Sequence, residues 1–311
     1  MPDVRWGLTV PFPGVALHDH RELLQLAEAE GYDDVWTGET AGPDGFTPLA
    51  LAAAWTDRLR LGTGIVNPFT RGPAVLAQHA AALQDASGGR FVLGLGSSSD
   101  VIVERWNGLP FERPLSRVRA AVETLRPVLA GERGPGGFRL EQPPATPPPI
   151  VIAALRGRML ALAAELADGA FTNFLPLSGA PQVAAAFDAP DKELVCRFFC
   201  LPQPAEQALP IARRMFAAYA TVPVYTEFFR WLGWAERIDP MVAAWREGDR
   251  ARALELVPDD LVSDIFVFGD AGEQHERLER FADAGITTFV LTAICPPDAL
   301  PATIRALARR G

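Results

Sequence analysis

The chain has 311 residues, 49% of them hydrophobic, so it can bury about three quarters of the surface that the unfolded chain exposes. Its formal net charge is −9 and Lys192 is its single lysine, which argues against a basic surface for nucleic acid or anionic lipid. The three cysteines lack metal-ligand spacing and the four histidines form no cluster, so we expect reduced, packed thiols and no metal site. Two of these histidines, His20 and His275, are expected to be solvated.

The first residues run directly into a strand, without a basic and then apolar leader. Elsewhere, too, the sequence lacks the about 18 consecutive apolar residues that a membrane span needs. These two observations predict a cytoplasmic protein with no membrane partner.

Short apolar runs alternate with helical patterns along the first 130 residues. The predicted order is strand 5–10, helix 18–30, strand 32–38, helix 46–56, strand 59–66, helix 73–86, strand 90–96 and helix 114–130. Glycines and prolines then exclude regular structure at 133–149. We interpret this segment as a surface loop rather than a domain linker, because the alternation resumes immediately after it.

The second half continues the alternation and then departs from it. It has strand 150–154, helix 157–168, strand 169–174, helix 181–187, strand 193–201, a long helical excursion at 205–283, strand 287–292 and helix 298–309. Eight apolar strands, each followed by a helix, predict a closed (β/α)8 TIM barrel. The prediction is a single domain over 1–311, with a loop insertion near 133–149 and a helical insertion near 205–283.

An open doubly wound sheet is the alternative architecture. Its dinucleotide fingerprint would lie in the first strand-to-helix turn, where this chain reads Pro11-Phe12-Pro13-Gly14. The barrel is therefore preferred, and its ligands are expected at the carboxyl ends of the strands.

Two of the strands end in glycine and small polar residues. The third strand ends at Gly62-Thr63-Gly64-Ile65, where the glycines let the backbone bulge and approach a flat ring closely. The fourth strand ends at Gly94-Leu95-Gly96, followed by serines. This pattern favours a flavin-like site, although a bulge that only helps to close the barrel would give the same pattern.

Four stretches together resemble the luciferase-like monooxygenase superfamily, and most closely its branch that uses the deazaflavin coenzyme F420. They are Trp36-Thr37-Gly38-Glu39-Thr40, the segment 62–71, Gly94-Leu95-Gly96-Ser97, and Ala153-Ala154-Leu155-Arg156-Gly157-Arg158-Met159-Leu160. The resemblance covers about residues 1–175 and the last strand and helix. It implies a bacterial-luciferase-like barrel that binds coenzyme F420, with FMN as the alternative cofactor.

The resemblance also implies roles for the residues at the second and third strand ends. A non-proline cis peptide is implied at Gly64-Ile65, supporting the back of the ring, so a branched side chain at Gly64 is expected to disturb the cofactor and spare the fold. The acidic position Glu39 is implied to bind the cofactor and to be catalytic together with its neighbour. That neighbour, often a histidine proposed as a proton donor, is Thr40 here. The alternative is that Glu39 pairs with an arginine at the rim.

Further cofactor contacts are predicted at the third, fourth and fifth strand ends. Asn67 can hydrogen-bond the polar edge of the ring, or only form an Asx turn. The fourth strand end offers small residues near the ring, and the start of the helix after the fifth strand can hold a phosphate. Alternatively, the residues at this helix start only cap the helix. These candidates are Gly96, Ser97, Ser98, Ala154, Leu155, Arg156 and Gly157.

The substrate end is predicted less sharply. Trp106 in the loop 100–113 and Asn173 at the end of the sixth strand are the candidate substrate residues. The aromatic side chains in 215–234 can line an apolar pocket or build a helical dimer interface, so a homodimer is expected.

The leading hypothesis is an oxidoreductase that transfers a hydride between C5 of the deazaflavin and a C=C, C=N or C=O group of a small organic substrate. The alternative is an FMN-dependent monooxygenase that uses oxygen and a partner flavin reductase. A further alternative is a homologue that binds a flavin without catalysis, because Thr40 replaces the usual histidine.

Overall fold

The computed structural model of the protein describes residues 4–309. Eight parallel strands close into a barrel, in which each strand pairs with the next and the last pairs with the first. The barrel strands are β1 (Arg5–Val10), β2 (Asp34–Thr37), β3 (Arg60–Thr63), β4 (Phe91–Leu95), β5 (Ile150–Ala153), β6 (Gly169–Asn173), β7 (Glu193–Leu201) and β9 (Thr288–Ala293). The predicted TIM barrel is confirmed. The predicted domain limits, 1 and 311, lie outside the described residues, and the single-domain organisation stays a prediction.

One further strand was not predicted. β8 (Val267–Phe268) pairs in parallel with Cys200 and Leu201 at the end of β7. It lies inside the segment 205–283, which is otherwise helical as predicted. Two residues are too short to give an alternating pattern, so the sequence alone could not mark them.

Thirteen α-helices are found among residues 4–309. They are α1 (His20–Ala29), α2 (Thr47–Trp55), α3 (Pro73–Ala86), α4 (Pro114–Leu129), α5 (Gly157–Leu166), α6 (Ala180–Phe187), α7 (Ala205–Ala220), α8 (Pro223–Trp231), α9 (Ala235–Arg246), α10 (Arg250–Glu255), α11 (Asp259–Ile265), α12 (Ala271–Asp283) and α13 (Leu300–Leu307). None of them is both long and apolar enough to cross a membrane.

Helix boundaries follow the local chemistry of the sequence. α3 begins at Pro73, whose missing N–H is not needed in a first turn. α12 begins with a reciprocal capping box between Asp270 and Glu273. At the other end of a helix, the ammonium group of Lys192 donates to the carbonyls of Ala164 and Ala167, which are free acceptors where α5 ends.

Apolar side chains fill the middle of the barrel as a cluster of their own. Its members are Trp36, Val92, Val151, Phe171, Val195 and Val290. This packed layer separates the two ends of the barrel, and only the carboxyl end of the strands is open to a ligand by the general rule for this fold.

The amino-terminal end of the barrel is closed by ion pairs. Asp34, which is fully buried, lies between Arg5 and Arg60. Arg60 also pairs with Glu193, with 2.5 Å between Nη2 and Oε1. These residues open strands β1, β2, β3 and β7, so charge pairing fixes the register of the strands at this end.

The expectation of solvated histidines is wrong for His20 and His275, which are 3% and 4% exposed. The Nε2 atom of His20 accepts a hydrogen bond from the amide of Phe12, at 2.8 Å. The two ring nitrogens of His275 lie 2.5 and 2.8 Å from the carbonyls of Ala271 and Ala308. Tertiary contacts, which a local polar pattern does not reveal, bury both rings.

Candidate active site

The carboxyl ends of the barrel strands bring most of the predicted site residues to one end of the molecule. Glu39 follows β2, the Gly64-Ile65 pair and Asn67 follow β3, and the serines follow β4. Arg156 follows β5 and Asn173 ends β6. Within residues 4–309, no group of three or more histidine, cysteine or acidic side chains is placed to hold a metal ion.

The Gly64–Ile65 peptide bond is cis, as the resemblance implied. The backbone here is held on both sides. The Gly64 amide donates to the carbonyl of Thr37 at 2.7 Å, and the Gly64 carbonyl accepts from Nη2 of Arg197 at 2.7 Å. The bulge is thus a fixed part of the barrel mouth.

The reason for a glycine at position 64 differs from the expected one. A Cβ atom added there would lie 2.7 Å from the ring of Phe171 and 3.2 Å from the carbonyl of Thr37. Both contacts are with the interior of the barrel. The geometry therefore favours some disturbance of the fold by a larger side chain, and the expectation that such a side chain spares the fold stays a prediction.

Glu39 forms a two-bond ion pair with Arg71. Both guanidinium nitrogens lie 2.5 Å from a carboxylate oxygen, and the amide of Gly45 donates to the same carboxylate at 3.1 Å. This is the rim pairing that the sequence left open as the alternative. Thr40 is exposed, next to the pair. The structure thus shows Glu39 as the acceptor of three hydrogen bonds, and its predicted roles in cofactor binding and catalysis stay predictions.

Asn67 is buried and its side chain has two distinct ends. Oδ1 accepts from the amides of Phe69 and Thr70 and from the Thr70 hydroxyl, which makes the Asx-type turn. Within the described part of the chain, Nδ2 donates to no protein group. The turn orients the residue and leaves one amide donor for a ligand.

The residues after β4 are small and half-buried. Ser98 has a φ of 61°, a left-handed conformation that is uncommon outside glycine and turns the chain sharply. A Cβ atom at Gly96 would lie 2.7 Å from Ile65 and 2.9 Å from Ala153. Gly96 therefore lets the third, fourth and fifth strand ends approach one another, and the hydroxyls of Ser97 and Ser98 follow at the rim.

The start of α5 lies at the same end of the barrel. Gly157 is the first residue of the helix, Arg156 precedes it in an extended conformation, and Ala154 and Leu155 connect both to β5. The Nε atom of Arg156 is buried and has no hydrogen-bond partner. A helix amino terminus beside an unsatisfied guanidinium group suits an anion such as phosphate.

The two predicted substrate residues are placed differently. Trp106 is 56% exposed, at the end of a π-helical turn over Val101–Trp106. Asn173 is half-buried, and its Nδ2 donates to the hydroxyl of Tyr225 at 2.9 Å. Asn173 therefore joins the sixth strand to α8.

Sequence reasoning missed Arg197, which lies in β7 beside Asn173 in register. Its guanidinium group donates to the carbonyls of Gly64 and Thr37 and lies 5.3 Å from the centroid of Phe171. The signal was present in the sequence, because a single charged residue interrupts the apolar run Leu194-Val195-Cys196-Arg197-Phe198-Phe199. Because arginine is rarely buried without a partner, an arginine inside an apolar barrel strand indicates a specific partner or ligand.

The aromatic segment 215–234 mainly packs on its own molecule. Phe216, Phe228 and Phe229 are fully buried among the helices. Tyr219 and Tyr225 are half-buried and contact Phe174, just past the end of β6, with centroid distances of 4.2 and 5.6 Å. These two tyrosines place the segment beside the end of β6.

Comparison with known proteins gives a family and several relatives. Residues 7–288 match the family described as luciferase-like monooxygenase. A protein of Mycobacterium tuberculosis named "Putative coenzyme F420-dependent oxidoreductase" is 30% identical, over 93% of this chain and 92% of its own. The 5,10-methylenetetrahydromethanopterin reductase of Archaeoglobus fulgidus is 27% identical, over 92% of each chain.

A solved structure has the same fold. The coenzyme F420-dependent tetrahydromethanopterin reductase of Methanopyrus kandleri superposes with a TM-score of 0.78 at 22% identity, covering 99% of this chain and 98% of its own. The family predicted from the four motifs, including their likeness to F420-dependent proteins, is confirmed.

Proposed function

We propose, from the premise that this chain belongs to the luciferase-like monooxygenase family and is an oxidoreductase of that family, that its cofactor is coenzyme F420. The reaction would be hydride transfer to or from a small organic substrate. The proposal prefers F420 to FMN because the relative from M. tuberculosis, which matches nearly the whole chain, is named for F420.

The observation in the site that carries the proposal is the unpartnered Nε of Arg156 at the start of α5. A buried guanidinium nitrogen without an acceptor is costly, and a phosphate oxygen would satisfy it. The free Nδ2 of Asn67 adds a second donor at the third strand end, where a polar ring edge would be bound. These donors fit a phosphate-bearing cofactor with a flat polar ring.

The protein's own contribution is to position the reactants. When bound, the deazaflavin supplies a carbon that donates or accepts a hydride. Gly64, Ile65 and Gly96 form a close-packed surface of small and apolar groups on which a flat ring can rest. The Glu39–Arg71 pair holds the loop after β2 against the turn after β3, so that the surface keeps its shape.

Titrations of the purified chain with oxidised coenzyme F420 and with FMN, at equal salt, test the proposal. We expect micromolar or tighter binding of F420 and much weaker binding of FMN. Preference for FMN, with oxygen uptake in the presence of a flavin reductase, would instead support the monooxygenase hypothesis. F420 binding without turnover on a broad panel of substrates would favour a non-catalytic homologue.

The homodimer and the cytoplasmic location also stay predictions. Light scattering after size-exclusion chromatography measures the mass of the assembly and so tests the first of them.

A further inference from the structure

Arg197 carries a charge that the protein itself does not balance. Its Nη2 donates to two backbone carbonyls, Gly64 at 2.7 Å and Thr37 at 3.3 Å. No ion pair found among residues 4–309 includes it. Carbonyl oxygens satisfy hydrogen bonds but bring no full negative charge, so the guanidinium stays electrostatically unpaired.

The position of Arg197 is costly for such a charge. The residue lies on the inner layer of the barrel, directly above Phe171, and burial lowers the pKa of its guanidinium, which still stays charged at neutral pH. Its Nε is buried without an acceptor. Its Nη1 also lacks a protein acceptor within the described residues and lies beside Gly38, where a Cβ atom would come within 3.3 Å. The Nη1 donor, beside the residue that follows β2, is therefore available at the barrel mouth.

Tyr225 places a second donor next to Arg197. The Oδ1 atom of Asn173 accepts from the amide of Phe174 at 3.0 Å, which fixes the side chain so that Nδ2 faces Tyr225. The Tyr225 oxygen is thus an acceptor for Asn173, and its O–H is free to donate elsewhere. Burial raises the pKa of Tyr225, so the phenol stays protonated and keeps this donor.

We propose that Arg197 and Tyr225 bind an oxyanion of the substrate, so that the enzyme acts on small organic molecules that carry a carboxylate. A permanent negative group balances the permanent charge of Arg197 in the bound state, and the tyrosine O–H adds a directional hydrogen bond. This inference rests on the proposed function, because it assigns a substrate class to the same site.

The same charge could be met by an anionic edge of the bound cofactor. The chemistry, an oxyanion against a guanidinium, is shared by both sources. The two sources predict different results. If Arg197 binds a substrate carboxylate, the carboxylate and the cofactor can be bound together. If Arg197 binds the cofactor, a carboxylate must compete with the cofactor for the same donors.

Isothermal titration of the full-length chain, without added cofactor, compares benzoate with the uncharged benzamide at constant ionic strength. We expect benzoate to bind and benzamide to bind at least about 10-fold more weakly, as expected for loss of a charged hydrogen bond. Arg197→Met should lose the preference for benzoate, Arg197→Lys should retain part of it, and Tyr225→Phe should weaken benzoate binding several-fold. Arg246→Met, which removes an exposed arginine at the end of α9, is the matched control and should change nothing.

A stability measurement separates binding from a structural role. Arg197→Met removes the donor to the Gly64 and Thr37 carbonyls, so we expect a moderate fall in melting temperature. Arg197→Lys keeps a charge and a donor and should melt closer to the parent chain. Titrations at a temperature where each variant is folded then separate the two roles, because a purely structural residue would leave the preference for benzoate over benzamide unchanged. Equal binding of benzoate and benzamide, or benzoate binding that survives Arg197→Met, would overturn the proposal.

Repeating the benzoate titration with saturating oxidised F420 distinguishes the two sources. Unchanged benzoate affinity supports a substrate site, and competition would assign Arg197 to the cofactor and overturn the substrate class. If F420 fails to bind while Arg197-dependent benzoate binding persists, the proposed cofactor is wrong and the anion site stands.

Discussion

The two ends of the barrel use arginine in opposite ways. At the amino-terminal end, Arg60 is held by both Asp34 and Glu193, and all three groups are largely buried. At the carboxyl end, Arg197 and Arg156 each keep a buried Nε without an acceptor and form no ion pair among the described residues. An arginine that is ion-paired within the protein stabilises the fold, whereas an arginine without an acidic partner can bind an anionic ligand.

The largest effect is expected from removing an ion-pair partner at the amino-terminal end of the barrel. Asp34→Asn should lower the free energy of unfolding by about 3 kcal/mol, because it leaves Arg5 and Arg60 with one buried carboxylate fewer. Urea unfolding measures this loss. Glu165→Gln, which removes an exposed partner of Arg119, is the control and should change little. Similar losses in the two variants would remove the distinction between buried and exposed pairs.

At the carboxyl end, where the two arginines lack acidic partners in the described part of the chain, substitutions should change ligand affinity more than stability. Replacing Arg156 and Arg158 with alanine should weaken F420 by about 10- to 100-fold, as for a lost charged hydrogen bond of about 1.5–3 kcal/mol. A deazaflavin fragment that lacks the phosphate should be affected much less. Arg246→Ala, at an exposed position in α9, serves as the control for general charge. If both ligands lose affinity equally, the phosphate is bound elsewhere.

A third test concerns the apolar layer between the two ends. Gly64→Ala should cost about 1–3 kcal/mol of stability, because the new methyl group overlaps Phe171. Phe171→Leu makes room for the methyl group, so the double variant should lose less than the sum of the single losses. Chemical denaturation of the three variants gives the coupling energy. Strict additivity would show that Phe171 is not what excludes a side chain at position 64.

The smallest effect is expected from His20, whose hydrogen bond at the carboxyl end of the barrel is made within the protein. His20 accepts from Phe12 and must be neutral to do so, and burial lowers its pKa. The unfolded chain therefore gains a proton first as pH falls below about 6.5, and the free energy of unfolding decreases by at most about 1.4 kcal/mol per pH unit. Stability measured between pH 8 and 5 should fall less steeply in His20→Gln. His18→Gln, at an exposed ring, is the control for loss of an imidazole and should keep the stability of the parent chain at pH 8.

Local patterns predicted the barrel, because each strand is an apolar run and each run is followed by a helix. They also predicted the cis bond at Gly64–Ile65, through the resemblance. They did not predict that His275 is buried, since its neighbours Trp6 and Ala308 are distant in sequence. For the same reason they missed Arg197, whose acceptors at Thr37 and Gly64 lie 160 and 133 positions away.

The ion pairs around Asp34 have one more consequence. Because these side chains and the layer of Trp36 and Phe171 fill the barrel from its amino-terminal end, a ligand of the Gly64 bulge can enter only from the carboxyl end. Molecules that stack at a site with a single entrance leave in the reverse of the order in which they arrived. A ligand resting on the Gly64 bulge would then dissociate only after any molecule bound above it had left. The barrel would therefore impose an order of binding and release on its ligands.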